Sequence, residues 1–217
     1  MSARREAAAE LGEVLRRLTD AAVSTEVPTA ALHDVTARLR EVLPELTAVR
    51  RKPGEAAAVD QDGPPQRVYN LVVGQGNPMS PPMTVELVDG AAIGTVELGL
   101  AYEGPPSYVH GGVSATLLDQ ILGHAHAAWF GRPAMTAKLA MRYRAPVPLA
   151  TPLRIVGRVL DGGPGQRWTS SVGTIATAAE PDVVLVEAEG NFVLPTAEQA
   201  RRLFGAIEEE QLVGEAF

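Results

Sequence analysis

From Val113 to Phe130 the chain runs through helix-compatible residues with one formal charge, Asp119, histidines aside. Val113, Leu117, Leu118, Ile121 and Leu122 are spread around the 3.6-residue period, so the segment predicts a helix buried on all sides rather than an amphipathic one. His110-Gly111-Gly112 leads into it, and paired glycines allow backbone angles that other residues avoid and close approach of a ligand. A helix starting there offers unpaired N–H groups and the positive end of its dipole, which suit a developing oxyanion. Asp119 follows about two turns later. Ala115 and Thr116 lie one turn before it on the same face, Leu122 and Gly123 one turn after, and the small Ala115 and Gly123 leave room for a substrate. Hydrogen bonding of a purely structural Asp119 is the plain alternative, since buried charges are paired. The nearby helix start favours a base or nucleophile beside an oxyanion site.

The run Glu103-Gly104-Pro105-Pro106-Ser107-Tyr108-Val109-His110-Gly111-Gly112, then Leu118-Asp119, Met135-Thr136-Ala137 and Tyr143-Arg144-Ala145-Pro146, resembles the hotdog-fold acyl-CoA thioesterases. The similarity is to the PaaI-like branch that includes the human thioesterase superfamily members, and it covers roughly residues 80 to 195. The resemblance implies an α+β hotdog fold, an antiparallel sheet wrapped around a long central helix. It implies catalytic roles for Asp119, nine positions after His110, and for the Gly111 N–H, with Thr136 supplied by the following strand. His110 and Gly112 are then substrate-binding, with His110 fixing the loop that presents Gly111. Some relatives place an Asn six residues before the His, where this chain has Gly104.

The 217 residues, 46% hydrophobic, suffice for one domain with an extension. A net charge of −7 argues against nucleic acid or an anionic membrane as principal partner. The absence of cysteine excludes a disulfide framework, a catalytic thiol and thiolate metal sites. No apolar run reaches membrane-span length and no signal peptide is evident, so the expectation is a cytoplasmic protein.

Residues 1 to 52 read as an N-terminal helical extension. Leu11, Val14, Leu15 and Leu18 follow helical spacing, as do Leu32, Val35, Leu39, Val42 and Leu43, with Pro44 expected to end or kink the second helix. The nine basic residues there are interleaved with eight acidic ones, which favours a solvated face over a DNA-binding module. The helices are expected to pack on the core or on a second subunit. Residues 53 to 66 have linker composition and are expected to be mobile, and 67 to 217 form the hotdog domain with a short C-terminal helix. Period-two segments place strands at about 83 to 89, 92 to 102, 134 to 144, 152 to 161, 166 to 178 and 182 to 194. The Pro-rich Asn77 to Met83 stretch reads as a rigid connection in preference to a loop over the acyl tunnel.

In residues 134 to 144, Met135, Ala137, Leu139, Met141 and Tyr143 alternate with Thr136, Lys138, Ala140, Arg142 and Arg144. Each basic residue alone reads as a solubilising charge. Together Lys138, Arg142 and Arg144, with Arg132, are candidates to bind the phosphates of coenzyme A. His124 and His126 are two apart, so they do not share a helix face, and no metal site is expected. Nucleophile-elbow, phosphate-loop, dinucleotide and zinc motifs are absent, and no cofactor is expected.

The reading is therefore hydrolysis of an acyl-CoA or related acyl thioester, with Asp119 as general base or as nucleophile. The rivals are a hotdog hydratase or dehydratase and a non-catalytic acyl-CoA sensor. A homodimer, or a dimer of dimers, is expected because the strand at 134 to 144 has no internal proline and its edge is free to pair with a second copy.

Overall fold

The structure is a computed structural model that describes residues 2–61, 67–131, 134–162, 166–196 and 198–199. Six strands, β1 (Thr84–Val88), β2 (Ala91–Val96), β3 (Met135–Tyr143), β4 (Leu153–Asp161), β5 (Trp168–Thr177) and β6 (Val186–Val193), form one sheet ordered β1-β2-β4-β5-β6-β3. Every neighbouring pair is antiparallel. Three α-helices accompany it: α1 (Ala3–Ser24), α2 (Thr29–Thr47) and α3 (Gly111–Phe130). The uncharged segment is indeed the centre of the molecule, because α3 packs against all six strands and buries Leu117, Leu118, Ile121, Leu122 and Ala125.

The sheet can wrap the helix because its inner face lacks side chains where the two are closest. Gly157 of β4 and Gly173 of β5 pair directly, and a Cβ at Gly157 would lie 3.0 Å from the Ile121 carbonyl oxygen, while one at Gly173 would lie 2.9 Å from Leu118 Cδ2. The neighbour of Gly157 is helix backbone and cannot move aside as a side-chain tip can. Gly157→Ala is expected to destabilise the fold by about 1–3 kcal/mol through overpacking. Urea unfolding measures this, and an unchanged midpoint would show that α3 is free to shift.

The strands fall in the expected segments with two departures in extent: β6, expected from residue 182, begins at Val186 after a turn. The segment expected as strand through residue 102 leaves the sheet at Val96, and Leu100–Tyr102 forms a 3-10 turn. The β1–β2 hairpin turns on Asp89 and Gly90, both with positive φ (48° and 73°), as a two-residue turn matched to strand twist requires. Asn77 to Met83 is a packed connection: Ser80 is buried, the Met83 N–H donates to the Val72 carbonyl (3.0 Å), and the Tyr102 hydroxyl donates to the Met79 carbonyl (3.2 Å).

The extension divides into two unlike helices. α1 lies on the body, with Arg16 donating to the Gln75 and Asn77 carbonyls (2.7 and 3.0 Å) and the buried Arg5 beside Asp60 (3.8 Å). No residue of α2 is buried, and Leu32, Val35, Leu39, Val42, Leu43 and Leu46 remain exposed along it. Pro44 lies within its last turn, and the helix ends three residues later at Thr47. Composition suggested a mobile linker from residue 53, yet Ala57 and Val59 are buried in a small cluster with Val68. Residues 62 to 66 and the short helix expected near the C-terminus lie outside the described residues. No helix among the described residues is long and apolar enough to cross a membrane.

Candidate active site

The loop before α3 fixes where the helix begins. Glu103 and Val109 form an antiparallel bridge, the His110 N–H donates to the Tyr102 carbonyl (2.9 Å), and the Ser107 N–H donates to the Glu103 carboxylate (2.8 Å). Gly104, where some relatives carry Asn, lies against the His110 backbone, and a Cβ there would come within 2.7 Å of His110 Cα. That position cannot hold an asparagine in this loop geometry.

His110 is the N-cap: its Nδ1 accepts the Gly112 N–H at 3.0 Å. An accepting Nδ1 carries no proton, so the capping ring is the neutral Nε2–H tautomer. Gly111 and Gly112 are therefore the first two helical residues, not the turn before the helix that the sequence suggested. At the first helical position the N–H has no intrahelical partner, and among the described residues the Gly111 N–H meets no acceptor. Gly112, by contrast, has its N–H committed to His110.

Asp119, near the middle of α3, is half-buried rather than sealed in the core as expected from the apolar sequence around it. Thr136 Oγ1 donates to Asp119 Oδ1 at 2.7 Å, which brings together the two side chains proposed from sequence and leaves Oδ2 without a partner among the described residues. A cap carrying one free N–H and a carboxylate held by a hydroxyl are the groups that acyl transfer requires.

A bulge puts Thr136 there. Thr136 pairs with Phe192 and Lys138 with Asn191, so Ala137 is an extra residue in β3 and the alternation restarts after it. Thr136 faces α3 with Leu139, Met141 and Tyr143, while Lys138, Ala140 and Arg142 lie on the opposite face; strict alternation had grouped Thr136 with the charges. On that outer face Arg144 makes two bonds to Glu187 (2.8 and 2.9 Å) and Arg142 approaches it at 3.5 Å. The Arg144 hydrogen bond holds the Glu187 carboxyl below its ordinary range. Among the described residues Lys138 has no carboxylate partner. Arg132 lies outside the described residues.

Tyr143 is the site residue that sequence reasoning missed. Its hydroxyl donates to the Gly111 carbonyl at 2.8 Å, and its ring lies 3.4 Å from where a Gly111 Cβ would be. The period-two pattern marked Tyr143 as inward but gave no sign of which helix residue it meets.

The two helix histidines have other duties. His126 is fully buried, with Nδ1 3.2 Å from Thr169 Oγ1 and its ring 4.2 Å from that of Phe192. Burial pushes its pKa down to about 4, and burial also lowers that of His124. No group of three or more potential metal ligands converges among the described residues. The depressed His126 value has a sign: the unfolded chain takes up a proton near pH 6.5 that the folded chain refuses, so stability falls as pH drops from about 6.5 toward 4. Unfolding at about pH 7 and about pH 5 should show a loss on the order of 1 kcal/mol per pH unit that His126→Asn lacks. Equal slopes would rule out a buried neutral imidazole.

One antiparallel sheet wrapped around a single long helix defines a hotdog fold. The family model described as Thioesterase superfamily matches residues 107–164, the span from the loop before α3 into the β4–β5 connection. A crystal structure of a thioesterase superfamily protein is similar at 36% identity and a TM-score of 0.74, covering 86% of this chain and 90% of that one. The chain belongs to the thioesterase superfamily. It is also 40% identical over 57 residues to the acyl-coenzyme A thioesterase THEM4 of Xenopus laevis, a match covering 26% of this chain and 25% of that protein. The match therefore spans about a quarter of that curated relative's length.

Proposed function

We propose that the protein hydrolyses an acyl-CoA, or a closely related acyl thioester, to the free acid and the thiol. The observation that carries this is the pairing of Asp119, oriented by Thr136, with a helix whose first N–H is uncommitted. The Gly111 N–H donates to the thioester carbonyl and takes the charge of the tetrahedral oxyanion, an effect worth roughly 2.7–4 kcal/mol per donor in other systems. Asp119 Oδ2 either draws a proton from water as it adds to the carbonyl or adds to that carbon itself. In both routes the C–S bond breaks and the thiolate leaves and is protonated. In the first the water oxygen ends in the free acid, and in the second an Asp119–acyl anhydride forms and one water then cleaves it, releasing the acid and restoring the carboxylate. The THEM4 relative, an acyl-coenzyme A thioesterase by name, supports coenzyme A as the thiol.

Helix geometry adds a requirement. Gly111 and Asp119 are eight residues apart, about 12 Å along the axis at 1.5 Å per residue, whereas both groups must lie about 3 Å from one reacting carbonyl. A single α3 cannot supply both, so the site takes Gly111 from one protomer and Asp119 from another. The unpaired edge of β3, which bonds only to β6, is where a second copy joins. This makes the active form a homodimer or a dimer of dimers.

Of the basic residues on and just after β3 proposed to bind phosphate, Arg142 and Arg144 are engaged by Glu187, and Lys138 remains as the cation for the nucleotide end of coenzyme A. His110 keeps the loop in place through the bond that its Nδ1 accepts from the Gly112 N–H. Coenzyme A release from acetyl-, octanoyl-, palmitoyl- and benzoyl-CoA tests the reading. Turnover of at least one, above the same protein carrying Asp119→Ala, supports it, and hydration of an enoyl-CoA without thiol release would replace it.

A further inference from the structure

We infer that Tyr143 is a positioning residue for the oxyanion donor, acting through the Gly111 carbonyl on the peptide that follows the donor N–H. The inference rests on the thioesterase reading above and adds a residue to its machinery. Gly111 is a glycine at a helix end, the two conditions under which backbone is least restrained: it has no side chain to lock φ and ψ, and its N–H has no intrahelical bond. Terminal turns of helices fray. Yet this N–H must keep one direction if it is to serve a charge that exists only in the transition state.

The structure supplies the restraint from outside the helix. Tyr143 Oη donates to the Gly111 carbonyl (2.8 Å), and the next N–H of the same peptide, that of Gly112, donates to His110 Nδ1 (3.0 Å). The Gly111–Gly112 peptide, which follows the donor N–H, is thus held at both its oxygen and its nitrogen, while the donor's own His110–Gly111 peptide is held at its oxygen, where the His110 carbonyl accepts from Val113 and Ser114 (2.9 and 3.3 Å). Tyr143 therefore fixes the Cα side of Gly111 about which the donor N–H would turn. The tyrosine ring also closes off the space a Gly111 side chain would enter, with Cε1, Cζ and Oη all 3.4 Å from that point. Strand β3 then touches α3 by hydrogen bonds at two places, and each is one of the two reacting groups: Thr136 at Asp119 and Tyr143 at Gly111. The strand is a strut that sets the carboxylate and the donor separately. Tyr143 meets the donor residue, and the side-chain bond of Asp119 goes to Thr136 instead.

Tyr143→Phe keeps the ring and deletes the hydrogen bond. With an acyl-CoA from the four above that the wild type turns over, kcat is expected to fall about three- to tenfold, the loss that one neutral hydrogen bond corresponds to, with KM changed less than twofold. The acid limb of the pH profile and the melting temperature should stay in place. By NMR, the order parameter of the Gly111 amide should drop from a rigid value of about 0.85 toward 0.6, a readout independent of turnover. Unchanged kcat with an unchanged Gly111 order parameter overturns the role. A lost kcat accompanied by a shifted acid limb or a lower melting temperature also overturns it, assigning Tyr143 to Asp119 or to the fold. Asp119→Ala, run alongside, separates the two levels: if that variant retains wild-type turnover, the thioesterase reading itself is at fault.

Discussion

Asp119→Ala is expected to slow coenzyme A release by about 10² to 10⁴-fold, the range for removing a general base, while circular dichroism and melting stay at wild-type values. The fold should tolerate the change because Asp119 is only half-buried and its one side-chain bond among the described residues is to Thr136, itself exposed in β3. A hydroxyl left without its acceptor at such a place can bond to water. Thr136→Ala should cost less, since it removes orientation and leaves the carboxylate present. A folded Asp119→Ala protein with near wild-type release would end the assignment. Equal damage from Thr136→Ala would move Thr136 into a primary role.

Gly111→Pro should lower turnover by about 10² to 10³-fold, the effect of deleting one oxyanion donor. The substitution is nearly surgical. Gly111 is the first helical residue, where proline's missing N–H and fixed φ are tolerated, and His110 ahead of it already has φ −60° and ψ 133°, the conformation a residue before proline prefers. The N–H disappears, and the added Cβ would meet the Tyr143 ring at 3.4 Å, a van der Waals contact. Mixing this variant with Asp119→Ala then asks where the site lies. If Gly111 and Asp119 come from different protomers, a heterodimer keeps one intact site of two, and random reassociation should recover about one quarter of wild-type activity. No recovery would place both groups on one chain, against the spacing along α3. A monomer that is fully active at assay concentration, detected by light scattering, would also place both groups on one chain, and without any mutant.

The parts legible in the sequence are those written locally. The helix Gly111–Phe130 was visible in its lack of charge, and strand positions in their period of two, because both patterns are set by which face meets the core. Asp119 and Thr136 were found through the motif, and they meet in the structure. What escaped depends on partners far away in sequence. Nothing near Arg144 reveals that Glu187, 43 residues on, takes its guanidinium. Nothing near Tyr143 points to Gly111, 32 residues earlier. The apolar spacing of α2 predicted a helix correctly, but amphipathicity describes a face to be covered and says nothing about what covers it. The helix start was misplaced by two residues because paired glycines usually signal a turn, and here a histidine ring caps them into the first turn of the helix.

The extra residue in β3 changes which kinds of sequence change this strand can absorb. On either side of Ala137 the strand runs in opposite phase, with Thr136 reading inward on one and Leu139, Met141 and Tyr143 on the other. Outer positions such as Lys138 and Arg142 can vary one at a time without disturbing either contact to α3. Length is a different matter. Loss of a single residue between Thr136 and Leu139 restores simple alternation, and then either Thr136 turns away from Asp119 or Tyr143 turns away from Gly111. Substitution is thus a graded variable along this strand, and its residue count a binary one.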